Sequence, residues 1–125
     1  MRLHCSHLMP RDCPMNELEL DDETADRYLL DATGTSLLVF YDPKWSEADA
    51  AREQLAKMNL PVEHLCWVDA SGNASLVERY EAFHLPSIFM IRDGVFYGPV
   101  QATLNEWDIR RQLALAESNY PAELP

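Results

Sequence analysis

The chain is predicted to form an α/β fold, a central mixed five-stranded sheet with helices on both faces in the order β-α-β-α-β-α-β-β-α. Three features predict it. Two continuous apolar runs, Ser36 to Tyr41 and Val62 to Asp69, have the length and flanking turn formers of strands buried on both faces. Apolar residues recur at helical spacing between them, from about Ser46 to Met58, which makes a helical crossover and parallel pairing the natural connection. Ile88 to Tyr97 holds two β runs around the turn Arg92-Asp93-Gly94, an antiparallel hairpin signal.

Met, His, Cys and Pro residues open the chain in no regular period, so residues 1–16 are predicted as a flexible N-terminal arm. Glu17-Leu18-Glu19-Leu20 then alternates polar and apolar as a half-buried strand does. Asp21 and Asp22 are candidate caps for a helix with Ala25, Tyr28, Leu29 and Ala32 on one face and Gly34 as its C′ residue. The run at 36–41 belongs mid-sheet. After Asp42-Pro43-Lys44, the second helix turns Ala48, Ala51, Leu55 and Met58 to one side and stops at Asn59 and Pro61. The second buried strand follows. Ser71-Gly72-Asn73 breaks the chain, and Leu76, Val77, Tyr80 and Phe83 give a third helix its apolar face. Beyond the hairpin, a last helix from about Asn105 to Ser118 is predicted to point Leu104, Trp107, Leu113 and Ala116 inward. Residues 119–125 form a Pro-bearing C-terminal tail, leaving 17–118 as the folded domain.

At 125 residues and 47% hydrophobic content the chain suits one domain with a proper core. A formal net charge of −11, with Lys and Arg scattered singly apart from Arg110-Arg111, argues against a nucleic-acid partner. Seven acids lie between Glu17 and Asp31 against the single base Arg27, the pattern of a solvated face. No apolar run approaches the roughly 18 residues that cross a bilayer, and the start lacks the apolar stretch of a secretory signal. A soluble, cytoplasmic protein with no membrane role is predicted. The odd count of Cys5, Cys13 and Cys66 does not resemble a disulfide framework and favours a reducing compartment.

Three local patterns carry a family resemblance. Leu38-Val39-Phe40-Tyr41-Asp42-Pro43-Lys44-Trp45 is a strand and loop leading without a gap into the second helix. Val68-Asp69, Leu76 to Tyr80 and Leu85-Pro86-Ser87 follow in series, and Ile88 to Val95 closes it with Asp93-Gly94 at the turn. In order and spacing these resemble the thioredoxin family from about Glu17 to Ser118. The resemblance implies that Pro86 is a cis-proline facing Trp45 and Ser46 across a shallow groove. It also implies that Ser46 stands at the nucleophilic-cysteine position, Asp49 at the resolving-cysteine position, and Phe40 where many members bury an aspartate that assists proton transfer. Disulfide exchange needs a thiolate to attack and a second thiol to resolve the mixed disulfide. With neither present, dithiol–disulfide oxidoreductase activity is not expected.

Other chemistries are weighed at the same residues. Ser46 with Asp49 three positions on is a capping-box pattern, which predicts a structural role at a helix N-terminus. As a nucleophile Ser46 would need a base, and no His or Lys is placed by motif to serve, Lys44 being an exposed neighbour. A serine here resembles that of glutathione transferases, which leaves glutathione binding by Ser46 and the Pro86 backbone as an alternative, without the helical second domain those enzymes use. His4, Cys5, His7 and Cys13 match no trusted zinc spacing, so no metal or cofactor is predicted. Cys66 reads as a small buried hydrophobe, with a thiol role beside His64 as the alternative. His84 reads as a helix-end residue. What remains is a protein-binding surface. The resemblance implies that Trp45, Leu85, Pro86, Ser87, Ala102 and Thr103 line a groove for another protein or an extended peptide. No motif specifies the partner or the oligomeric state.

Overall fold

The computed structural model describes residues 16–125, so residues 1–15 of the predicted arm, with His4, Cys5, His7 and Cys13, lie outside the described residues, while Asn16 already belongs to the first strand. The elements run β1 (Asn16–Leu20), α1 (Ala25–Asp31), β2 (Thr35–Tyr41), α2 (Ala48–Lys57), β3 (His64–Asp69), α3 (Ala74–Tyr80), β4 (Ser87–Arg92), β5 (Val95–Pro99) and α4 (Glu106–Ala116), the predicted order. The sheet order is β1-β3-β2-β4-β5. β3 pairs parallel with β1 and β2, while β4 pairs antiparallel with β2 and β5. Asp93 and Gly94 both take positive φ in the two-residue turn between β4 and β5, as a tight hairpin with right-handed strand twist requires.

Side chains alternate across the pleat, so each central strand feeds two cores. Leu37, Val39, Leu65, Trp67, Ile88 and Met90 face α2 and α4, meeting Ala48, Leu55, Ile109, Leu113 and Ala116. Leu38, Phe40, Cys66, Val68, Phe89 and Ile91 face α1 and α3, meeting Ala25, Leu29, Leu76 and Tyr80. All seven β2 residues are buried, which is why its sequence is a continuous apolar run rather than an alternation.

The helices differ from expectation at their ends. α1 has Thr24 at its N-cap position with no side-chain cap bond, after a turn in which Asp21 Oδ1 accepts from the backbone N–H groups of Glu23 and Thr24 and from the Thr24 hydroxyl. Asp22 serves a different helix, accepting from the Leu76 backbone N–H in the first turn of α3. Gly34 does have a positive φ of 83°, but it sits two residues past the C-cap Ala32 and binds the hairpin turn through Asp93. The acidic stretch is thus not merely a solvated face: Glu17 and Glu19 pair with Arg52, and Asp26 with Arg79.

Two residues predicted to face inward do not. α3 stops at Tyr80 because Glu81 turns left-handed at φ 56° and the Ala82 N–H returns to the Val77 carbonyl, so Phe83 leaves the helix and stays 65% exposed. Trp107 is 67% exposed, because the inward stripe of α4 is Ile109, Leu113 and Ala116, and two residues from Ile109 is about 200° round a helix.

The last residues fold back on the sheet. Phe96 and Ala122 exchange both backbone hydrogen bonds, at 2.7 and 2.9 Å, and Asn119 Nδ2 donates to the Tyr97 carbonyl at 2.9 Å. Leu124 packs against the α1/α3 core, and the Arg79 guanidinium donates to the Pro125 oxygen at 2.6 and 3.2 Å.

Candidate functional site

The loop from β2 to α2 is a pair of backbone turns. The Trp45 N–H bonds the Asp42 carbonyl at 3.0 Å, and the Ala48 N–H bonds the Trp45 carbonyl at 2.9 Å, with Asp42 Oδ1 accepting from the Lys44 N–H. These turns delay the helix to Ala48, with Glu47 at the N-cap position and no side-chain cap bond. The predicted Ser46–Asp49 capping box therefore does not form. A capping box would need the Ser46 side chain to accept from the Asp49 N–H, but the Trp45–Ala48 turn moves the N-cap position to Glu47 and leaves Ser46 exposed one residue outside it. Asp49 is exposed in the first turn of α2, where its charge suits the positive helix end. α4, by contrast, has a full cap. Asn105 Oδ1 accepts from the Asp108 N–H, while Asp108 accepts from the Thr103 N–H at 2.8 Å and the Thr103 hydroxyl at 3.0 Å, bonds that lower the Asp108 pKa.

The Leu85–Pro86 peptide bond is cis. Beside it lies an open groove of about 800 Å³, lined by Tyr80, His84, Pro86, Ser87, Phe96 and Ala102 among others. The Ser87 hydroxyl donates to the His84 carbonyl across this corner. Of the six residues assigned to the groove by resemblance, Pro86, Ser87 and Ala102 line it. Trp45 and Ala102 both pack, half-buried, against the α2/α4 core; Leu85 is 41% exposed at the rim; Thr103 is engaged by Asp108. Phe83, exposed two residues before Leu85, is an apolar surface residue that sequence reading assigned to the core. A glycine or asparagine at Glu81 would have signalled the left-handed stop, whereas glutamate gives no such signal.

Thiol chemistry finds no support at Cys66. The residue is 0% exposed in the α1/α3 core, and burial pushes its thiol up to about 12, so the thiolate needed for exchange is not available near neutral pH. His64 shares that side of β3 but is engaged elsewhere. Its Nε2 lies 2.9 Å from the Thr33 carbonyl, which can only accept, so Nε2 carries the proton and Nδ1 accepts from the Tyr28 hydroxyl at 2.8 Å. Phe40 is fully buried with its ring 5.6 Å from Tyr80 and 5.7 Å from Phe89. Among the described residues no three His, Cys, Asp or Glu side chains are grouped to hold a metal, and no helix is long and apolar enough to cross a membrane.

No protein-family model and no curated protein sequence matches the chain. Solved structures do. Human ERp44 in its zinc-bound form matches with a TM-score of 0.63 at 18% identity, over 80% of this chain and 31% of that one. The J-Trx1 fragment of ERdj5 matches at 0.64 and 14% identity, over 82% and 52% of the two chains. The thioredoxin-like domain of Arabidopsis NCP matches at 0.57 and 18% identity, over 65% and 62%. The chain thus spans less than a third of the length of ERp44. Identities this low establish the fold alone, and that fold is thioredoxin-like.

Proposed function

We propose that this chain is a redox-inactive, thioredoxin-like protein-binding module of the reducing cytoplasm, an adaptor, assembly factor or chaperone-like partner that holds extended polypeptide at the corner around Trp45 and Pro86. The observation that carries it is the open groove at cis-Pro86, preceded in the chain by the exposed apolar residues Phe83 and Leu85, on a fold with Ser46 and Asp49 in place of thiols. Exposed apolar residues grouped at a concave surface mark interaction sites more often than isolated ones do. The groove wall adds Ser87 and Ala102, and no cofactor or metal is invoked.

Insulin reduction with a chemical reductant tests the absence of redox activity. Turnover is expected to match the reductant alone; turnover well above it, abolished by Cys66→Ala, would sink the redox-inactive reading. Quantitative affinity capture with the parent chain and with Leu85→Asp and Trp45→Ala chains of unchanged circular dichroism tests the surface. Partners lost from both variants are expected, and an identical set from all three would remove the groove from consideration. The glutathione alternative at Ser46 and Pro86 rests on the resemblance alone. Chemical shifts at Ser46, Pro86 and Ser87 are expected to stay fixed in millimolar glutathione.

A further inference from the structure

The outer edge of β5 is closed by the chain's own last residues, in the manner of an added strand. Phe96 exchanges both backbone hydrogen bonds with Ala122, the Tyr97 carbonyl takes the Asn119 side chain, Leu124 reaches the α1/α3 core, and Arg79 holds the Pro125 oxygen. Exposed strand edges are templates for pairing, and covering one with a short segment keeps it from pairing indiscriminately. The cover is light. Tyr120, Pro121, Ala122 and Glu123 are exposed and Leu124 and Pro125 only half-buried, so the segment belongs to the least stable part of the fold.

The fit is also incomplete. Tyr80 is only 4% exposed and lines the groove beside Glu123 and Pro125, yet its hydroxyl has no hydrogen-bond partner among the described residues. A buried hydroxyl without a partner is a standing cost that an incoming acceptor relieves. Next to the tail, Leu30, Arg79, Val95 and Leu124 line a second cavity of about 350 Å³, room for a larger side chain than the tail supplies.

We propose that the β5 edge is a strand-accepting protein-binding site, at which an extended segment of a partner protein replaces residues 119–125. The partner segment pairs its backbone with Phe96, sets an aliphatic or aromatic side chain at the place of Leu124, and offers acceptors to Tyr80 and Arg79. Main-chain bonds then supply affinity and the apolar cavity supplies selectivity, as in other strand additions to a sheet edge. This site shares Arg79, Tyr80 and Phe96 with the wall of the groove at Pro86, but the groove is tested at Leu85 and Trp45 and this site at Leu124 and Phe96, so the failure of one is distinguishable from the failure of the other.

Amide exchange by NMR on the full chain tests it. Leu124→Asp in the full-length protein is expected to raise exchange at Phe96 at least about tenfold, or 1.4 kcal/mol, while Val39 at the centre of the sheet stays protected. A synthetic peptide copying residues 119–125, at millimolar concentration, should restore protection at Phe96 in that variant and shift the Arg79 and Tyr97 resonances. The same peptide carrying Leu124→Asp should not. Should Leu124→Asp lose protection at Val39, Arg79→Gln, which frees Pro125 without touching the sheet, takes its place. Equal Phe96 exchange in parent and variant, or a peptide without effect, overturns the proposal. Concentration-dependent dimerisation of the parent chain in sedimentation would also overturn it, because the occupant would then be a second copy.

Discussion

The two faces of the sheet are built from alternate residues of the same strands, yet they treat polar atoms in opposite ways. On the α2/α4 face the large rings keep a polar tip and send it to the rim at β1. Trp67 Nε1 donates to Glu17 at 2.8 Å, the Tyr41 hydroxyl donates to Glu19 at 2.9 Å, and the Arg52 guanidinium lies over both rings, 4.7 Å from Trp67 and 5.3 Å from Tyr41. On the α1/α3 face Phe40, Tyr80, Phe89 and Phe96 form a ring cluster with centroids 5.5 to 5.9 Å apart, and Cys66 is sealed beneath them. The Tyr80 hydroxyl is left unpartnered there among the described residues. A polar tip is affordable only where it can reach a partner at the rim. Phe40 is fully buried in that sealed cluster, so its position holds a ring and no acid.

Putting an acid on the sealed face should break that difference most severely. Phe40→Asp is expected to lose more than about 4 kcal/mol, from the missing ring and an unpaired buried carboxyl. The apolar site would raise the folded-state pKa of the new acid. The folded variant then holds its proton more tightly than the unfolded chain, so its stability falls as pH rises through and above the carboxylate range, in urea titrations read by circular dichroism. A variant as stable as the parent at pH 7 would show that the face is not sealed.

In the parent chain the same face should carry most of the alkali sensitivity, although burial and Glu19 also raise Tyr41 on the other face. Burial raises Cys66 from 9.0 to about 12 and Tyr80 from 10.0 to about 12. Between the unfolded and folded values the native state binds more protons than the unfolded state, so stability should fall as pH climbs from about 9 toward 12. Cys66→Ala should flatten the start of that fall. Peptide mapping after alkylation at pH 8 should find Cys66 unmodified until denaturant is added.

The rim of the α2/α4 face should respond less. Arg52→Ala is expected to cost about 1–2 kcal/mol, since it removes a stacked guanidinium and its bonds to Glu19 and Tyr41 at a site that is still partly solvated. The two helix starts on this face give the smallest effects. Asn105→Ala should lose about 1 kcal/mol with its cap bond, and Ser46→Ala less than about 0.5 kcal/mol because no bond is made there. Equal losses at Asn105 and Ser46 in matched thermal melts would restore the capping role that the sequence suggested.

Much of the fold is legible in the sequence because its signals are local. Continuous apolar runs at 36–41 and 62–69, the period-3.6 pattern at 46–58, and Asp93-Gly94 between two β runs each report on residues close in the chain. The candidate site is legible only in outline. Leu85-Pro86-Ser87 marks the corner, but Phe83 was hidden behind a left-handed glutamate, and Trp107 was misassigned by a stripe that left out Ile109. Ser46 fails as a cap for another reason: backbone turns from Asp42 push the helix start on to a Glu47 N-cap, and composition cannot express that shift.

By itself the sequence determined the element order, the two buried strands, the hairpin and the absence of thiols at 46 and 49, since each is a property of a short window or of residue identity. Tertiary structure decided the rest. Asp22 caps a helix more than fifty residues away in sequence, Arg52 bridges α2 to β1, and residues 119–125 become the cover of β5. Each of these depends on groups that meet only after the sheet has formed, and no local period or propensity encodes such a meeting.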